Sequence, residues 1–204
     1  ALAKDAIHLE RDLLDEAGGI QDQIAASYGG FNFVEIQKNG NFLVKPINLS
    51  EDARLSFEHS LLLVFTGIFR NSFELASEQS SNISKTSDQL EKISRITLEA
   101  RSLFTQDDVV KDFGELLNET WQAKKSINNK ISNSTVDEIY DTAIAAGAYG
   151  GKLLGSGAGG FMIFVVPKNK ATKVNNALSG LIKTSIKIDQ LGTQSYQSNA
   201  GELI

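Results

Sequence analysis

The residues from Gly147 to Phe161 read GAYGGKLLGSGAGGF and hold seven of the chain's 17 glycines. Glycine clustered in this way serves a backbone that needs positive φ or that another group approaches closely. Successive N–H groups in such a loop can form an anion cradle. The spacing excludes two familiar phosphate loops. No Gly-Lys-Ser/Thr ending closes a P-loop. Gly155, Gly157 and Gly160 satisfy G-x-G-x-x-G in form, but they lead into Phe161-Met-Ile-Phe-Val-Val, a strand pattern. A dinucleotide fingerprint must instead open a helix. An anion-holding loop and a glycine hairpin that merely permits tight packing both remain.

Two carboxylates have spacing of interest. Asp22 follows the Gly18-Gly19 pair and precedes a short helical segment, where a carboxylate can act as a general base; its alternative is an N-cap. Glu10 lies on a helical pattern. It could hold Mg²⁺, which takes one or two protein carboxylates and completes its shell with phosphate oxygens and water; its alternative is a solvated helix face beside Arg11 and Asp12. Arg70 follows a strand through Gly67 and suits either an anion or an exposed helix start. Trp121 with Lys124-Lys125 reads as a core aromatic beside a charged face. His8 and His59 have no metal-like partner at i+3 or i+4 and are given no role.

The positioning elements follow from periodicity. Leu2, Ala6, Leu9 and Leu13 predict a helix over 2–14. Ile24–Tyr28 makes one further turn, stopped by Gly29-Gly30. Phe31–Ile36 and Phe42–Ile47 form a hairpin around Asn39-Gly40, a type I′ signal. Leu61–Thr66 is a buried strand. Helices are expected over 71–79, 83–104, from Asp107-Asp108 to about Ile127, from a capping box at Thr135-Val-Asp-Glu138 to Gly147, and over 170–182. Lys152–Leu154 and Phe161–Val166 are strands flanking the glycine loop, and Thr184–Ile188 is another. The tail from Gly192 is polar and expected to be loosely held. The order is α+β rather than a regular βαβ alternation.

Composition narrows the function classes. The chain has 204 residues, no cysteine and a net charge of −5. Thiolate chemistry and disulfides are excluded, and a nucleic-acid backbone binder shows the opposite charge balance. No apolar run approaches the length of a membrane span. The chain is expected in the cytoplasm, without a nucleic-acid or membrane partner. Its sole methionine is Met162, and Ala1 already reads as helix without a cap, which suggests a processed start or part of a longer protein.

Three stretches together resemble the GHMP kinase superfamily, the small-molecule kinases that include galactokinase and mevalonate kinase. They are Ile7-His-Leu-Glu10-Arg11 leading to Gly19-Ile-Gln-Asp22-Gln23 and Tyr28-Gly-Gly-Phe31; Phe65-Thr-Gly-Ile-Phe-Arg70; and Lys152-Leu-Leu-Gly-Ser-Gly-Ala-Gly-Gly-Phe161. Trp121-Gln-Ala-Lys-Lys125 and Ile131-Ser-Asn fit the same branch, that of D-glycero-D-manno-heptose 7-phosphate kinases and related sugar kinases. The likeness runs over nearly the whole chain. It implies ATP and Mg²⁺ as cofactors, a sugar or sugar phosphate as substrate, Asp22 as the catalytic carboxylate, and Glu10 as the metal ligand. It further implies that Gly155, Ser156, Gly157, Ala158, Gly159 and Gly160 support the phosphate site. Gly19 and its neighbours Gln21 and Gln23 would edge the sugar pocket. On charge alone, Arg70 and Lys125 are candidates for a substrate phosphate. Ala158 stands where the branch usually has glycine. The family's N-terminal strand motif and its Pro-x-x-x-Gly-x-Ser-Ser motif have no counterpart here.

The resulting expectation is an ATP-dependent sugar kinase chain. Residues 1–55 would be part of the family's N-terminal domain and residues 56–204 a ferredoxin-like C-terminal domain with inserted helices. By itself this chain would be inactive, and it would self-associate, as a homodimer for example, through surface that absent residues normally cover. The rivals are a non-catalytic sugar-phosphate-binding or interaction module, and a ferredoxin-like domain without a ligand.

Overall fold

The computed structural model describes residues 2–16, 18–69, 86–105 and 109–195. It divides into two units, residues 1–47 with 188–204, and residues 48–187. The sequence placed its boundary at 55/56, but helix Glu51–Ser60 crosses that point unbroken, and the segment from Ile188 counts with the first unit.

In the first unit, α1 (Leu2–His8) runs on into a π-helical turn over Leu9–Leu13, closed by Leu14 N donating to Leu9 O at 3.0 Å. Helix α2 (Gln21–Tyr28) is eight residues long, longer than the single turn expected. Ala3 and Ile24 are buried between the two helices. Strands β1 (Asn32–Ile36) and β2 (Phe42–Pro46) pair antiparallel, Val34 opposite Val44. The hairpin is as expected but its turn is not type I′. Gly40 N donates to Gln37 O at 2.9 Å and only Gly40, at φ +82°, has positive φ. Asn39 instead accepts the Asn41 amide with its side chain, so the loop is the three-residue kind that ends in a left-handed glycine. The tail is tied rather than loose at Gly192 and Thr193. Thr193 donates its amide and its hydroxyl to Ala26 O at 2.8 and 2.9 Å. Gly29 and Gly192, both at positive φ, meet backbone to backbone.

The second unit opens with α3 (Glu51–Ser60), N-capped by Ser50, which accepts Ala53 N at 3.2 Å. It continues through β3 (Leu61–Phe65), α4 (Ser87–Leu103), α5 (Val110–Lys125), α6 (Ser134–Ala146), β4 (Gly150–Leu153), β5 (Phe161–Val165), α7 (Ala171–Ala177) and β6 (Lys183–Ser185). The sheet order is β4-β5-β3-β6, antiparallel throughout. This is the β-α-β-β-α-β ferredoxin-like arrangement with three described helices in the first crossover. The expected helix over 71–79 and the opening Asp107-Asp108 lie outside the described residues.

The core gathers Val64, Trp121, Ile131, Val136, Leu153, Met162, Phe164 and Val174, all fully buried. Helix α6 departs from its expected start. Its N-cap is Asn133, whose side chain accepts Val136 N at 3.1 Å, so Thr135 sits inside the first turn and no capping box forms. Gly147 ends the helix in the left-handed conformation, as read from the sequence. The segment expected as one helix over 170–182 holds only α7, behind a 3₁₀ turn at Lys168–Lys170. Asn175, Asn176, Ser179 and Gly180 favour caps and turns over helix interior, and Gly180 takes φ +95°. Strand β6 covers three residues instead of five, because its pairing to β3 ends with Leu62–Val64.

Candidate active site

Within the first unit the carboxylates sit on α2 and on the π turn. The N-cap of α2 is Ile20, without a side-chain cap, and Asp22 falls inside the first turn. Asp22 is therefore not the capping residue considered above. Its side chain is exposed, at the end of a helix where negative charge is favoured. The next residue, Gln23, donates its side-chain amide to Glu10 Oε2. This clamps the π turn to α2 and leaves Gln23 Oε1 buried with no hydrogen-bond partner. An orphaned buried oxygen costs on the order of 1–3 kcal/mol, so this one is suited to a hydroxyl donor or a cation. Arg11 donates to Gly18 O, tying the Gly18-Gly19 break to the same turn. The Gln21 side chain folds back over Gly19 so closely that a Cβ on Gly19 would meet Gln21 Oε1 at 1.9 Å. His8 does have a partner at i+4: Asp12 Oδ2 lies 2.7 Å from its Nδ1, on the exposed face.

These residues fit a hard cation in one particular way. Glu10 and the Gln23 carbonyl oxygen are oxygen donors of the type Mg²⁺ takes. No cluster of three His, Asp or Glu side chains occurs among the described residues. The donor set therefore suits a metal completed by phosphate oxygens and water, not one caged by protein.

In the second unit the glycine loop joins β4 to β5. Leu154 N donates to Phe161 O at 2.9 Å, Ala158 N to Ile131 O at 2.8 Å, and Gly160 N to Ile68 O at 2.9 Å. Thr66 caps the far end, its amide and hydroxyl both donating to Gly160 O. Side chains at Gly157 and Gly159 would press on Ile131 O and Ile68 O, at 3.0 and 2.8 Å. The loop is thus clamped between two backbone segments, and the Ala158 and Gly160 amides bind the protein itself instead of facing outward. Ser156 is half-buried beside these anchors. Ala158 takes φ +65° and is buried, the conformation that a glycine would adopt without strain.

Beside the loop stand lysines that the charge reading passed over. Helix α5 and β4 run in the same direction. At one end Gly114 and Gly150 touch so closely that a Cβ on Gly150 would meet Gly114 O at 1.9 Å; at the other, Lys124 Nζ donates to Gly155 O. Lys152 lies on β4 just before the loop. Both lysines are half-buried. Burial, and secondarily the charge of Lys152, lowers the Lys124 pKa to about 8; burial lowers that of Lys152 as well. Lys125, the residue picked from sequence, points elsewhere. It pairs with Asp137 at 3.2 Å and stacks over the Trp121 and Tyr140 rings. Arg70 lies outside the described residues. The signal for Lys152 was its place three residues before Gly155; only tertiary packing brings Lys124 there.

Residues 105–183 match the family described as GHMP kinases C terminal. The D-glycero-alpha-D-manno-heptose 7-phosphate kinase of Campylobacter jejuni is 35% identical over 187 residues, 87% of this chain and 52% of that protein. The crystal structure of a D-glycero-D-manno-heptose 1-phosphate kinase from Bacteriodes thetaiotaomicron superposes with a TM-score of 0.71 at 26% identity, covering 96% of this chain and 55% of that one. Lactococcus lactis galactokinase, solved with galactose, shares the fold alone, at a TM-score of 0.64 and 17% identity over 91% of this chain and 57% of its own. Residues 105–183 are thus similar to the C-terminal domain of the GHMP kinases. The chain spans about half the length of the heptose 7-phosphate kinase it matches. No helix among the described residues is long and apolar enough to cross a membrane.

Proposed function

We propose that the whole protein is a kinase that transfers the γ-phosphoryl group of ATP to a hydroxyl of a phosphorylated heptose, with the anomeric hydroxyl of heptose 7-phosphate as first choice. One observation carries this reading: the likeness to the heptose 7-phosphate kinase extends over 87% of the chain. Supporting it, the first unit holds an exposed Asp22 next to Gln23, whose side chain donates to Glu10. The two heptose kinases agree on a heptose bearing phosphate and differ in where that phosphate sits.

In this mechanism the sugar hydroxyl gives its proton to the Asp22 carboxylate as its oxygen forms a bond to the γ-phosphorus. The bond from that phosphorus to the β–γ bridging oxygen breaks, and ADP leaves. Phosphoryl transfer of this kind is mainly a matter of positioning and charge stabilisation. Glu10, with the Gln23 oxygen nearby, would hold Mg²⁺, which offsets charge on the phosphates. Gly19 and Gln21 would border the sugar. The Gly155–Gly160 loop contributes shape and rigidity through its clamped backbone. Arg70 remains a charge-based candidate for the substrate's own phosphate, whereas the charge of Lys125 is already matched by Asp137. Because the chain spans half of its relative, the activity is assigned to the whole protein, and this chain by itself is expected to turn over little or no ATP.

The test is ATP turnover by the whole protein with heptose 7-phosphate, heptose 1-phosphate, galactose and fucose. Turnover with a heptose phosphate, lost in Asp22→Asn, is the expected result. A protein equally fast with Asp22→Asn removes the base assignment, and one that phosphorylates none of these sugars removes the substrate class.

A further inference from the structure

We propose that Lys124 and Lys152 form a binding site for a phosphate dianion beside the Gly155 turn. Two like charges half withdrawn from water, one bonded to the Gly155 turn and the other three residues before it on β4, are unfavourable unless an anion completes them. Among the described residues no carboxylate does so, since neither lysine takes part in an ion pair. Lys124 uses one of its three donors on Gly155 O, and the Lys152 side chain makes no hydrogen bond to any described residue.

A purely structural role accounts for half of this arrangement. Lys124 lies in the last turn of α5, where a cation is favoured near the terminal carbonyls. That explanation does not extend to Lys152, which sits on a strand. The adjoining Lys125 shows what a structural lysine looks like here, with its charge matched to Asp137 and its stem laid on aromatic rings. The contrast between neighbours on one helix separates a packed lysine from an uncompensated one. A strained, rigid loop also suits a binding site, because its geometry is fixed before the ligand arrives.

The experiment follows the lysine side-chain NMR signals of the full 204-residue chain as inorganic phosphate is added at constant ionic strength, with chloride as the control anion. Lys124 and Lys152 are expected to shift saturably while Lys92, exposed on α4, does not. Lys124→Met and Lys152→Met should each weaken phosphate binding by about tenfold or more. If either variant fails to fold, the wild-type signals decide the matter alone. Shifts that never saturate, or that track chloride equally, overturn the site. Two further arms identify the source: displacement of inorganic phosphate by sedoheptulose 7-phosphate assigns the site to a sugar phosphate, displacement by ATP alone assigns it to a nucleotide, and displacement by neither overturns the site. Kinase turnover without a lysine response would sink this site and leave the kinase reading standing; a lysine response in a protein without turnover would do the reverse.

Discussion

Asn133 holds Ala158 in place. Its Nδ2 donates to Ala158 O at 2.9 Å while its Oδ1 accepts Val136 N at 3.1 Å. One side chain therefore both starts α6 and fixes the glycine loop at its most strained residue. Asn133→Ala removes a cap and a loop anchor together. It should destabilise the second unit by about 1–2 kcal/mol, read as a lower urea midpoint, and raise backbone exchange at 155–160. A drop in stability with the loop unchanged would show that the contact to Ala158 is incidental.

Ala158 itself gives a sharper test. At φ +65° an alanine is tolerated and a β-branched residue is an outlier. Ala158→Gly relieves backbone strain but loses a buried methyl and gains unfolded-state freedom. These terms are each about 1 kcal/mol and oppose one another, so the change should be close to neutral. Ala158→Val should cost more than about 2 kcal/mol. Equal stability for the valine variant in thermal melts would mean that the loop is not held in this conformation.

Much of this was legible in the chain. The glycine loop between two apolar strands, the end of α6 at Gly147 and the buried strand Leu61–Phe65 follow from residue type and spacing. What escaped depends on partners distant in sequence. Asn133 outcompetes Thr135 as cap because its amide also reaches Ala158. Lys124 reaches the glycine loop and Lys125 does not because the Gly114–Gly150 contact sets α5 alongside β4, and no local pattern encodes that. The polar tail looked free because its anchor, Ala26 O, lies 167 residues away. The Gln23–Glu10 clamp needs the π turn, which no helical periodicity predicts.

The pKa of Lys124 makes stability depend on pH in a definite direction. Its folded pKa of about 8 lies below the ordinary lysine value of 10.5. Between these values the unfolded chain binds a proton that the folded chain lacks, so this residue's contribution to stability rises with pH across that window. Below it the charge is carried in both states and the burial penalty is fully present. Lys124→Met should therefore be more stable than wild type near neutral pH, by on the order of 1–2 kcal/mol, and the difference should shrink as pH rises from about 8 towards 10.5. Urea unfolding of both proteins across that range checks it; a gap independent of pH would mean that Lys124 is not desolvated in the folded chain.

Asp22 should separate chemistry from folding. It is exposed in the first turn of α2 and caps nothing, so Asp22→Asn should change stability by no more than about 0.5 kcal/mol, as surface substitutions do. Loss of a general base costs about 10²–10⁴ in rate, and in the whole protein the fall should appear in kcat with KM for the sugar little changed. Glu10→Gln should behave differently. It keeps the shape of the side chain but removes the charge facing Gln23, so the Mg²⁺ concentration needed for half-maximal rate should rise by about tenfold or more. The two variants are compared by full kinetics at several Mg²⁺ concentrations. If excess Mg²⁺ rescues Asp22→Asn and leaves Glu10→Gln unimproved, the two carboxylates have been assigned in the wrong order.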